Sequence, residues 1–268
     1  MIKKLFLFSL LLISVLSCTN NALKPKDFSE DEINKKYPYW QVGVSRFEIA
    51  SSEKTYTTIT VEEKRFILLC MAYMRLVVNT EEFVEEIYKN KDQLRSSVTD
   101  QFAASAYKIK QDELYDPDRL IEIIRTLKYD FLYRKSNSNP AGASGAVGDI
   151  RYVRYGYTTV KTGDFVQFVN KNWISWSTWP GGNTIGGFAS TAALLFHEHM
   201  HNIGFQHVGN NQVPYVLQLN VMQPILNRIL AGDLKDKYAK QLDELTAYYY
   251  TAYKDLLTED SVFDPNLK

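Results

Sequence analysis

Every histidine of the chain lies in one eleven-residue run: His197-Glu198-His199-Met200-His201-Asn202-Ile203-Gly204-Phe205-Gln206-His207. His197 and His201 are four positions apart, so on a helix they stack on one face about one turn apart. The preceding residues, Phe188 to Phe196, are mostly apolar, as a buried helix requires. Two imidazoles placed this way reach a single Zn²⁺ at about 2.0–2.1 Å. Glu198 is off that line, and its carboxylate suits another task. As general base it holds the zinc-bound water, then carries the proton to the leaving amine. Gly204 can adopt a left-handed backbone, end the helix and let the chain turn back. His207 is then delivered as the third ligand. Three neutral nitrogens leave the metal's charge uncompensated, so it polarises a carbonyl strongly and lowers the pKa of bound water towards about 7. His199 is two residues from either helical ligand and points away from both. It is expected to be packed or solvent-facing, with a hydrogen bond to a group behind the ligands.

The complete pattern H-E-x-x-H-x-x-G-x-x-H resembles that of the metzincin metallopeptidases. H-E-x-x-H alone arises by chance, but here the glycine and third histidine also stand at the family spacing. The resemblance implies a zinc endopeptidase with one catalytic Zn²⁺, held by His197, His201 and His207, and with Glu198 as its base. It also implies an α+β fold: a twisted mixed sheet, two main helices above a cleft, and a smaller lower part ending in a helix. Val61–Val78 and Phe188–Ile203 would be the main helices, and 234–257 the last. One catalytic domain over 37–268 is expected, its upper part 37–203 and its lower part 204–268. Met222, before Gln223-Pro224, is the implied Met-turn residue beneath the metal. Pro224 occupies the position where some branches carry a tyrosine that reaches the zinc, which makes Tyr215 the candidate oxyanion stabiliser. Val208-Gly209 follow the third histidine, where many members have an acidic or polar residue. An edge strand that pairs with substrate should precede the active-site helix, at Phe165–Asn170 or Trp173–Ser177. The apolar stretch Val213–Leu219 would wall the pocket for the residue after the scissile bond.

The N-terminus reads as an address. Lys3 and Lys4 precede an apolar run, Leu5 to Leu16, that is too short for a permanent span. It ends in Val15-Leu16-Ser17-Cys18, which resembles the lipobox of bacterial lipoproteins. Cleavage after residue 17 would leave 251 of the 268 residues, with Cys18 acylated. Residues 18–36 are then expected as a polar tether. The implied location is the bacterial cell envelope, with the domain held to a lipid bilayer and outside the cytoplasm. Cys70, the other cysteine, sits in an apolar helical pattern and is expected in the core.

Further elements follow from periodicity. Tyr39–Ile49 and Thr55–Thr60 are β-prone. Asn79 and Glu82 suggest a capping box opening a second helix. Asp116-Pro117 starts another, with a stripe through Leu120, Ile123, Ile124, Leu127 and Phe131. Ser136–Gly148 and Pro180–Gly187 read as glycine-rich loops. Neither carries a nucleotide-binding pattern. Lys plus Arg and Asp plus Glu both number 31, a neutral balance that argues against nucleic acid as a partner. A monomer acting on a peptide or protein substrate is expected. A non-catalytic lipoprotein keeping a structural zinc, or a zinc hydrolase with a non-peptide substrate, remains open at this point.

Overall fold

The computed structural model describes residues 29–50, 53–99, 101–135, 143–146, 173–176, 185–207 and 212–267. The lipobox, Cys18, Phe165–Asn170 and Val208-Gly209 lie outside these residues. In chain order the first half comprises α1 (Glu30–Lys36), β1 (Gln41–Ile49), β2 (Thr57–Ile59), α2 (Val61–Val78), α3 (Glu81–Lys89), β3 (Arg95–Val98), α4 (Gln101–Tyr107), β4 (Glu113–Leu114), α5 (Pro117–Thr126) and β5 (Lys128–Lys135). There follow β6 (Ala143–Ala146), β7 (Trp173–Trp176), α6 (Ile185–Ile203), β8 (Phe205–Gln206), α7 (Val213–Val216), α8 (Gln223–Ala231), α9 (Lys235–Ala252) and β9 (Ser261–Phe263). Mixed helix and sheet make this an α+β chain. No helix among the described residues is long and apolar enough to cross a membrane.

The main sheet has the order β1-β5-β7-β6. Its first two pairings are parallel and β6 runs antiparallel to β7. Trp173–Trp176 is therefore an interior strand, which corrects its assignment as the edge. Among the described residues the sheet ends at Ala143–Ala146, inside the stretch expected as a loop. Helix α6 packs against β6 and β7 on one side and α2 on another. The sheet's register has an irregularity between Val44 and Arg46. There the Ser45 hydroxyl donates to the Phe131 carbonyl at 3.1 Å.

Helix α2 covers its expected span. The Thr60 side chain caps it by accepting from the Glu63 amide. Glu63, buried in the first turn, pairs with Lys135 at 2.7 Å and accepts from Tyr133 at 2.8 Å. This ties α2 to β5. Cys70 is fully buried, and burial pushes its thiol pKa up, as a packing role requires.

Four local expectations need correction. Thr80, not Asn79, caps α3, accepting from the Phe83 amide at 3.3 Å. Asn79 is instead committed to Tyr39, with its amide group bonding that residue's N–H and carbonyl. The stripe after Asp116 ends at Ile124, because Phe131 belongs to β5. Residues 30–36, expected as part of a polar tether, form helix α1: Ser29 and Glu32 make the capping box that opens it, and its Ile33 is buried. Residues 204–267 pack closely onto the earlier part of the chain. Helix α9 lies along α2, β9 pairs with β2, and β8 pairs with β3. The Tyr249 hydroxyl also donates to the Val42 carbonyl at 2.7 Å.

The fourth correction concerns Met222. No tight turn exists there. Helix α7 passes through a π-helical segment, Leu217–Met222, directly into α8. Pro224 cannot donate to the carbonyl one turn earlier, and the widened backbone just before it accommodates that break. Met222 is fully buried in the main core, so it serves packing from within a helix.

Candidate metal centre

Helix α6 carries His197 and His201 on one face because they are one turn apart. It ends at Gly204, whose φ is 114°. That backbone conformation favours glycine. The Gly204 amide donates to the Met200 and His201 carbonyls, closing the last turn. The two-residue strand β8 follows, and His207 comes next.

The three Nε2 atoms converge. His197 Nε2 lies 3.1 Å from His201 Nε2 and 3.2 Å from His207 Nε2. Ligands at about 2.0–2.1 Å from a tetrahedral zinc are about 3.3–3.4 Å apart, so the spacing fits such an ion. Among the described residues this is the one grouping of His, Cys, Asp or Glu side chains able to share a metal. The donor chemistry fits too. His201 Nδ1 is 2.7 Å from the Phe205 carbonyl, which can only accept, so the ring proton sits on Nδ1. Its Nε2 therefore offers a lone pair to the centre. A backbone acceptor behind a ligating imidazole is a recurring support of metal sites.

Electrostatics favour neutral rings. Burial, then the neighbouring histidines, lowers the His197 pKa to about 3. Burial lowers that of His201 to about 4, and it lowers His207 as well. Glu198 is 3% exposed, on the same helix beside His197. The ring of Tyr215 lies 4.6 Å from that of His197 and 4.5 Å from that of His207. Helix α7 thus brings the tyrosine to the histidine cluster, although it comes from before the π segment. Val213, Val216 and Leu217 are buried around it.

His199 is packed, not solvent-facing. It is fully buried, with its ring edge-on to Trp40 at 5.1 Å and to Phe131 at 4.8 Å. Its Nδ1 is 2.6 Å from the Tyr129 hydroxyl, which also donates to Asn202 Oδ1 at 3.3 Å. This pins the back of α6 to β5. Nothing in the sequence signals Tyr129 or Trp40 as partners, since both come from distant segments.

The buried histidines predict an acid-sensitive apoprotein. His197, His199 and His201 have folded pKa values of about 3, 3 and 4, below the unfolded value of about 6.5. Below pH 6.5 the unfolded chain binds protons that the folded one refuses, so stability falls with falling pH. Each histidine contributes up to about 1.4 kcal/mol per pH unit in that window. Thermal melts of metal-free protein should drop steeply between pH 6.5 and 4.5, and His199→Phe should flatten the slope. A melting temperature constant over that range would contradict the assignment.

No family model, curated protein or solved structure matches the chain.

Proposed function

We propose that the chain is a zinc-dependent endopeptidase of metzincin type, tethered to a bacterial envelope membrane through acylated Cys18. The observation that carries this reading is the convergence of three neutral imidazoles beside a buried glutamate on the same helix. A structural zinc site has no use for that carboxylate. When bound, the metal supplies a Lewis acid that polarises a carbonyl and acidifies water. His197, His201 and His207 would hold it. Glu198 takes the proton of the attacking water and later passes it to the leaving amine. Tyr215, whose ring lies beside those of His197 and His207, would donate its hydroxyl to the oxyanion that develops on the substrate. Strand β6, which among the described residues ends the sheet and packs against α6, would pair with an extended peptide. A peptide or protein is therefore the substrate class.

The test is cleavage profiling on a peptide library with the full mature chain. Cleavage should stop with a chelator and return with added zinc. Cleavage that persists in chelator, or zinc-loaded protein that leaves every peptide intact, would overturn the reading. In bacterial cells, labelled palmitate should be incorporated by the wild type and not by Cys18→Ser; equal labelling would remove the anchor.

A further inference from the structure

Between α3 and α5 the chain makes an excursion, residues 90–116, that the metal-binding pattern does not account for. Its central strand, β3, touches the segment around His207 from both sides. On the near side β3 pairs antiparallel with β8, Val98 opposite Phe205 and Ser97 opposite Gln206. On the far side Arg95 forms a parallel bridge with Gln212. The Gln212 side chain donates to the Ser97 hydroxyl at 2.9 Å, and Gln111 donates to the same oxygen at 3.1 Å. Ser97 and Gln212 are both buried, at 2% and 4% exposure. Gln212 is the N-cap residue of α7, yet its side chain makes no capping bond and is turned to Ser97 instead. The chain leaving His207 is therefore held to β3 at Gln206 before it and at Gln212 after it.

The same strand reaches a second ligand. Phe205, opposite Val98, supplies the carbonyl next to His201 Nδ1. The Tyr115 ring packs edge-on against the Phe205 ring at 5.1 Å, adding the excursion's weight to that residue. One strand thus orients the third ligand and the backbone acceptor of the second. Gln206 and Gln212 are thus fixed by folding, before any metal binds.

We propose that β3 is a clamp for the metal centre, and that Ser97 and Gln212 are positioning residues for His207. This rests on the zinc reading above. Ser96 provides an internal control. It is equally buried, but adjacent residues of a strand face opposite ways. Its hydroxyl bonds the Lys110 and Glu113 carbonyls, within the excursion. Losing it loosens the excursion without touching the link to Gln212.

The experiment measures Zn²⁺ affinity by competition with a chromophoric chelator, alongside melting of the metal-free protein. Ser97→Ala and Gln212→Leu should each weaken zinc binding by about 10-fold or more, as loss of groups that orient metal ligands does. Ser96→Ala should lower the melting temperature yet leave zinc affinity within about twofold, well short of that loss. In a His207→Ala background, Ser97→Ala should have no further effect on affinity. Wild type that binds zinc while both variants match it would overturn the clamp and leave the metal site standing. An equal loss in Ser96→Ala would also overturn it, reducing β3 to general support. Wild type that binds no zinc would overturn the metal reading and the clamp with it.

Discussion

Glu198→Gln is expected to keep zinc at full stoichiometry and lose peptide hydrolysis by about 10²–10⁴-fold in kcat/KM, the usual worth of a positioned general base. Glutamine has nearly the same shape, so the packing around this 3%-exposed side chain should survive. What it lacks is basicity: a neutral amide cannot take a proton from the attacking water. The loss should appear in kcat with KM little changed, because the proposed base would act on the reacting water and not on substrate binding. Tyr215→Phe separates a second contribution. Removing one oxyanion donor costs up to about 10²–10³-fold, again with zinc retained. Metal analysis by mass spectrometry and steady-state kinetics on the best peptide check both. A zinc-loaded Glu198→Gln variant with undiminished turnover would exclude the proposed base.

His207→Ala should act on the metal first. With two nitrogens left, both on α6, the site offers no closed set of protein ligands, and zinc affinity should fall by far more than the 10–100-fold typical of residues behind the ligands. The apoprotein should fold well, because His207 is only partly buried. Its stability at pH 5 should even rise slightly relative to wild type, since a histidine whose pKa is lowered in the fold has been removed. Unchanged zinc content after dialysis would remove His207 as a ligand. Loss of zinc with intact circular dichroism and melting would place the effect at the centre itself.

Much of this centre is legible in the amino-acid order alone. A four-residue separation on a helix fixes a shared face, and a glycine after the last turn marks where the helix can end. Both are local rules, so His197, His201, Gly204 and His207 can be read in order. Helix α2 is legible for the same reason, as is the body of α9: their apolar periodicity needs no knowledge of the partner. Met222 shows where a resemblance misleads. The family pattern implies a turn, but nothing local in Leu219–Pro224 demands one, and a π segment carries the helix through. Asn79 and Thr80 compete to cap α3. The outcome turns on Tyr39, forty residues away, which takes the asparagine's amide.

By itself the sequence pointed to His197, His201 and His207 as a group able to share a metal, to Glu198 beside it as the proposed base, and to Cys70 in an apolar helix face. Tertiary structure alone decided which strand is the sheet edge, that His199 is locked against Trp40, Phe131 and Tyr129, and that Tyr215 lies over two ligand rings. It alone brought β3 to both sides of His207. The physical reason is the range of the interactions. Helical faces and caps arise from neighbours within a turn and leave a period in the sequence. Strand pairing and ring packing join segments about a hundred residues apart, such as Ser97 and Gln212, and the choice among possible partners is made only when the whole core closes.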